Sequence, residues 1–320
     1  MFKDVIGHER ITEMLRSQIR AGKVAGAYLF AGPEGVGKRL VAMTFAKALN
    51  CLQLPDDSCD SCISCRKVDD GNHPDVQVIK PSGNWLKIDQ IRNMQRRASF
   101  RAMEGRYKVF ILLKADRMTD EAANSMLKTL EEPPSDTVFI LVATDMNMIL
   151  PTILSRCQLF RFHHIPRETI SKALQERFLI GEATASRIAL LCGGRIEKAL
   201  KMAENPGSIE DEEIPKVLRG MEILEIFKMA DELSSNPEKL DWLLTWYRDL
   251  MLVKEGVTPD KLTHPESWEE LKEISKKIPR GRILEAMREI MLTRDMIQHN
   301  INAMLAMEVL CLRLRGIGDV

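Results

Sequence analysis

The chain has 320 residues, 45% hydrophobic and 29% charged, a balance that fits a globular protein of two or three domains. Its 46 basic residues are matched by 46 acidic ones, which excludes nucleic-acid binding through bulk charge and leaves only local patches. Met1-Phe2-Lys3-Asp4 carries no apolar signal core and no apolar run approaches ~18 residues, so a cytoplasmic protein with no membrane partner is expected.

Apolar residues at Ile11, Met14, Leu15 and Ile19 predict a short amphipathic helix over 11–21. The run Ala27-Tyr28-Leu29-Phe30-Ala31 predicts a strand, followed by Gly32-Pro33-Glu34-Gly35-Val36-Gly37-Lys38-Arg39 and a helical pattern over 40–49. Strand, glycine-rich turn and helix N-terminus are the context of a phosphate-binding loop. Gly32, Gly35 and Gly37 let backbone N–H groups curl around phosphate oxygens, and Lys38 adds a point charge. The next position ordinarily holds Ser or Thr, whose hydroxyl binds Mg2+. Arg39 stands there instead, and a guanidinium has no lone pair to offer a metal.

Four of the seven cysteines, Cys51, Cys59, Cys62 and Cys65, fall within fifteen residues in a C-x7-C-x2-C-x2-C pattern. Cys157, Cys192 and Cys311 are scattered. In a reducing compartment a local cluster favours a metal over disulfides. Two adjacent C-x2-C steps turn three thiolates towards one point, and a fourth closes a tetrahedral site with no position for a catalytic water. Structural Zn2+ is the expectation, and four reduced thiols in an irregular loop are the alternative. His73 is expected at the surface rather than as a further ligand.

Residues 75–79 predict a strand ending in a turn at Pro81-Ser82-Gly83, and 88–98 a helix. The apolar runs 107–113 and 137–143 suit buried strands of a parallel sheet, with a helix over 121–130 between them that Pro133-Pro134 stops. Alternating strands and helices over about 160 residues give an α/β doubly wound domain. A working nucleotide hydrolase ends the strand at 107–113 with acids that order Mg2+ and the attacking water. Leu113 and Lys114 occupy that place, and Asp116 comes too late to lie at the strand tip. Binding of ATP or ADP is therefore expected to be weak or absent, and hydrolysis is not expected.

Ser155-Arg156-Cys157 follows Leu150-Pro151-Thr152-Ile153-Leu154, a short capped helix by its sequence. Composition alone makes Arg156 a surface or ion-pair arginine. Its place after the last sheet strand, read as 138–143, allows a second role, a finger reaching the γ-phosphate of a neighbouring subunit.

Beyond Phe162 the pattern is helical, over 168–178, 184–192 and 196–203, with a polar break at Glu204-Asn205-Pro206-Gly207-Ser208. Helix spacing returns at Ile223, Ile226, Phe227, Ala230 and Leu233, then at Leu243, Trp246, Leu250 and Val253, and runs on from Ile283 towards Arg315. Met287, Met291, Met296, Met304 and Met307 read as core before interface, and Asn300-Ile301-Asn302 as a break.

Taken together, these motifs resemble the clamp-loader subunits of bacterial DNA polymerase III, a branch of the AAA+ proteins, and within it the delta-prime group. The resemblance rests on Gly7-His8, the loop from Gly32 to Lys38 and the four cysteines with Gly71-Asn72-His73-Pro74-Asp75 behind them. Its most specific anchors are Leu127-Lys128-Thr129-Leu130-Glu131-Glu132-Pro133-Pro134 and Ile153-Leu154-Ser155-Arg156-Cys157. It implies an AAA+ P-loop α/β domain over 1–163 with a parallel sheet and an inserted zinc module at about 51–65. A helical lid over 164–207 and an all-α collar for oligomerisation over 208–320 would follow.

The same resemblance implies a non-hydrolysing stator that assists ATP-driven loading of the sliding clamp onto primed DNA during replication. Its partners would be the tau/gamma motor subunits and the delta subunit, with clamp and primer-template DNA met mainly through the complex. Arg156 matches the family's trans-acting finger and Thr144 falls near its first sensor, while the second sensor is not assigned around Gly194-Arg195-Ile196-Glu197-Lys198. An active motor remains the alternative, with Asp116 or Glu131 supplying the acid. A zinc-stabilised adaptor unrelated to replication is the alternative of another class.

Overall fold

The computed structural model describes residues 1–204, 223–235, 239–298 and 302–318. The chain divides into two compact units, Met1–Asn205 and Pro206–Val320. Of the predicted polar break only Glu204 lies among the described residues, and Asn300 and Ile301 lie outside them.

In the first unit, β-branched and aromatic runs form β1 (Ala27–Ala31), β2 (Val76–Ile79), β3 (Lys108–Leu113), β4 (Thr137–Ala143) and β5 (Gln158–Arg161). All neighbours pair in parallel, in the order β2-β3-β4-β1-β5. Around the sheet lie α1 (Glu9–Arg20), α2 (Lys38–Asn50), α3 (Ile63–Asp69), α4 (Ile88–Ala98), α5 (Asp120–Glu131) and α6 (Pro151–Leu154).

Strand alternation sorts the side chains onto two faces. Tyr28, Phe30, Val109, Ile111 and Ile140 pack with Leu15 of α1 and Phe45 of α2. Leu29, Phe110, Leu112, Phe139 and Leu141 pack with Ile91 of α4 and Met126 of α5. Both faces are covered, so the strands read as continuous apolar runs rather than alternating ones.

The last strand of the sheet is β5, not the run at 138–143 as the sequence suggests. β5 has four residues, with Phe160 buried and Leu159 36% exposed, too short and too mixed to carry a strand period. Three further helices complete this unit, α7 (Arg167–Phe178), α8 (Glu182–Leu191) and α9 (Ile196–Glu204).

In the second unit the described residues form helices α10 (Ile223–Ser235), α11 (Lys239–Lys254), α12 (Trp268–Lys277), α13 (Arg280–Gln298) and α14 (Ala303–Gly318), without a strand. Trp246, Leu250, Leu271, Ile290 and Leu310 are central to its core. Met307 joins that core, as expected, whereas Met291 and Met296 are exposed. Phe227 is exposed too, although its spacing places it with Ile226 and Ala230. Among the described residues no helix is long and apolar enough to cross a membrane.

One buried carboxylate fixes the loop that leads from α4 back to the sheet. Asp75, 4% exposed, accepts backbone N–H groups from Met103 (2.8 Å), Glu104 (2.7 Å) and Gly105 (2.8 Å). Burial alone would raise its pKa, but these three donors outweigh it and hold the group below the ordinary value of 3.8. A depressed folded-state pKa means that the stabilisation is present at neutral pH and is lost as pH falls through the carboxylate range. Asp75→Ala leaves three donors unpaired and is expected to cost about 3 kcal/mol in urea unfolding at pH 7. The gap between variant and parent should narrow as the pH is lowered towards the folded-state pKa.

Candidate functional site

The glycine loop lies at the C-terminal end of β1, where a parallel strand hands over to the helix behind it. A Cβ at Gly32 would stand 2.2 Å from the carbonyl oxygen of Phe162, so only glycine fits against that neighbouring backbone. Gly37, at φ +95°, makes the left-handed turn into α2. The loop is thus built as the sequence predicts.

Its lysine and several of its carbonyls, however, are already engaged within the chain. Lys38 is 6% exposed and donates from Nζ to the carbonyl oxygens of Gly32 and Pro33. Burial lowers its pKa to about 8, opposed by the charges of Asp116, Glu34 and Glu197. His8, itself buried, donates from Nε2 to the Val36 carbonyl at 2.9 Å. Glu197, in the first turn of α9, donates its backbone N–H to the Gly35 carbonyl at 3.0 Å. The second sensor is unassigned around Gly194–Lys198 in the sequence; here Arg195 and Ile196 pack against Gly35 and Gly37, and Glu197 bonds the loop through its backbone. Gly193 and Gly194, at φ +58° and +79°, turn the chain into that position.

The tip of β3 carries no acid. Leu113 is the last residue of β3 and pairs with Val142, and Lys114 turns away at φ +53°. Asp116 follows in a single helical turn, and its two oxygens accept the backbone N–H groups of Thr144 (3.2 Å) and Asp145 (3.4 Å). Asp116 therefore braces the end of β4, and Thr144 meets it through its backbone.

The four cysteines gather between α2 and α3. Their sulfurs all lie within 4.8 Å of one another, with Cys59 and Cys65 4.0 Å apart. Tetrahedral zinc with Zn–S bonds of about 2.3 Å sets thiolates about 3.8 Å apart, so the arrangement fits such an ion. Backbone N–H groups of Leu54, Cys62 and Cys65 donate to the sulfurs of Cys51, Cys59 and Cys62 at 3.3, 3.2 and 3.4 Å, a pattern that favours thiolate. Cys51, Cys62 and Cys65 are buried, which suits a closed structural site rather than a catalytic one.

His73 departs from the expectation of a surface residue, being only 4% exposed. Its Nδ1 accepts the Asp75 N–H at 3.1 Å, so Nε2 carries the proton and donates to Ser64 Oγ at 3.2 Å. Burial lowers its pKa and keeps the ring neutral. It supports α3 from behind and does not join the sulfurs.

Arg156 lies at the opposite end of the strands from the loop. It comes two residues before β5, whose first residue pairs with Tyr28 near the start of β1, whereas the loop follows the end of β1. The five residues of β1 rise about 13 Å between those ends. Arg156 is thus separated from its own chain's phosphate loop by the length of the strand. Its Nε donates to Glu131 at 2.8 Å, its Nη2 to the same oxygen, and its Nη1 to the Thr152 carbonyl at 2.8 Å. The pairing of Glu131 with Arg156 carries no signal in the sequence, since it joins residues 25 apart.

Comparison with known proteins gives this geometry a context. The family described as "DNA polymerase III, delta subunit" matches residues 7–166, and "DNA polymerase III, delta subunit, C terminal" matches residues 216–316. The chain belongs to the DNA polymerase III delta subunit family. The delta' subunit of Bacillus subtilis is 29% identical over 96% of this chain and 95% of its own length. The tau subunit of the same organism is 31% identical over 89% of this chain and 56% of its own. The gamma subunit of Buchnera aphidicola is 30% identical, covering 84% of this chain and 74% of its own. The first unit of the chain carries a five-stranded parallel sheet with the glycine loop after β1, followed by helices.

If the cysteines hold a structural ion, elemental analysis should find one zinc per chain. Cys62→Ser should then lose the metal and lower the midpoint of thermal unfolding. Correctly folded, metal-free protein of parental stability would contradict the site.

Proposed function

We propose that the chain is a non-hydrolysing stator of the DNA polymerase III clamp loader. In this reading it works in the cytoplasm beside tau/gamma motor subunits and a delta subunit. It assists ATP-driven loading of the sliding clamp on primed DNA and meets clamp and DNA mainly through the complex. Residues 1–163 form the AAA+ domain, 164–207 the lid and 208–320 the collar that joins the neighbours. Cys51, Cys59, Cys62 and Cys65 hold a structural Zn2+.

The observation that carries this reading is the division of the nucleotide machinery across the sheet. The chain's own loop, with Gly32, Gly35, Gly37 and Lys38, lacks the hydroxyl and acids that hold and use Mg2+. Arg156 stands at the other end of the strands, and in this reading it reaches the nucleotide of a neighbouring subunit. A guanidinium there stabilises the charge that develops on the transferred phosphoryl group without needing any nucleotide of its own.

Identity alone favours neither delta' nor tau relatives, at 29% and 31%. The side chains weigh against a motor. Of the two acids that reading would recruit, Asp116 gives both oxygens to backbone N–H groups and Glu131 is paired with Arg156. Membership of the family stands against an adaptor unrelated to replication.

Arg156→Ala should slow ATP hydrolysis at the facing motor site by about a thousandfold or more while the complex still assembles. Single-turnover hydrolysis in the reconstituted complex, with assembly checked by gel filtration, measures both. Unchanged hydrolysis at that site would remove the finger.

A further inference from the structure

The guanidinium of Arg156 is committed to its own chain more completely than a ready finger would be. Nε and Nη2 both donate to one oxygen of Glu131, with Nε at 2.8 Å. Nη1 donates to the Thr152 carbonyl at 2.8 Å and to Ser155 Oγ at 3.2 Å. An arginine has five N–H donors, so a single one, on Nη2, is left to face outwards. Phosphate recognition uses two parallel N–H groups of the fork, and this arrangement cannot supply them.

Glu131 occupies a position that makes this pairing understandable. It is the last residue of α5, where the negative end of the helix dipole disfavours a carboxylate, and the cation of Arg156 relieves that. Pro133-Pro134 fixes the chain directly beyond it. The two side chains remain 48% and 30% exposed, so water screens the pair and leaves it weak enough to be exchanged for a phosphate. A bland stabilising pair and a holding device share this geometry, but they differ in what they do to kinetics.

We propose that Glu131 is a positioning residue that parks Arg156 until a neighbouring subunit presents its nucleotide. On engagement the guanidinium exchanges Glu131 for the γ-phosphate oxygens, so part of each binding event is spent breaking the parked pair. Glu131 touches no nucleotide itself. It sets how readily the finger is released and keeps the arginine ordered when no phosphate is present. This inference rests on the finger reading of Arg156 given above.

The test is steady-state ATP hydrolysis by the complex reconstituted with its motor partner, comparing parent, Arg156→Ala, Glu131→Gln and Ser155→Ala. Glu131→Gln keeps the shape and removes the charge, so the apparent KM for ATP should fall about threefold with kcat retained. Ser155→Ala loosens a second tether without touching α5 and should shift KM in the same direction. A KM that stays or rises in both variants, or a kcat lost as in Arg156→Ala, would overturn the parked state. If Arg156→Ala is itself without effect, the finger reading fails and the parking role with it. If Arg156→Ala slows hydrolysis and the other two leave KM unchanged, only the parking role fails. Urea midpoints of each chain separate these kinetic outcomes from loss of fold, which a merely stabilising Glu131–Arg156 pair would lower without moving KM.

Discussion

Parallel pairing of β1 with β5 is the constraint on which the rest of the molecule depends. Because both strands run the same way, the segment entering β5 and the loop leaving β1 must lie at opposite ends of the strands. Arg156 sits on the entering segment and Lys38 just past the leaving loop. One chain therefore cannot bring these two groups to the same phosphate.

The loop itself has become part of the internal framework. Its lysine is bound to loop carbonyls, and two more carbonyls are taken by His8 and by the first turn of α9. These contacts tie the N-terminal segment, the loop and the α9 helix together, as a ligand would in a working nucleotide site. The acids that surround Lys38, namely Asp116, Glu34 and Glu197, also make the site less hospitable to a polyphosphate. The four cysteines form a separate small cluster, with Cys51, Cys62 and Cys65 buried and Leu54 and Cys59 packed against them.

Much of this was legible in the chain. The continuous apolar runs give β1, β3 and β4, since strands buried on both faces need no alternation, and Leu113-Lys114 already shows where acids are missing. β5 was hidden because one buried side chain, Phe160, cannot establish a period. His73 reads as a loop residue between Asn72 and Pro74, and its burial depends on Ser64 packing across from another element. The approach of Glu197 to the loop follows from two left-handed glycines whose φ angles no sequence spacing reports. The pairing of Glu131 with Arg156 is a consequence of topology, because the end of α5 and the start of β5 meet only when the sheet is assembled.

The central claim is that this chain contributes to hydrolysis without performing it. The most direct measurement is Mg2+-dependent ATP turnover by the purified chain alone and then with its motor partner. The account predicts no turnover alone, and turnover by the mixture above that of the motor by itself. Turnover by the isolated chain that disappears in Lys38→Ala would contradict it, because the loop would then be a working site.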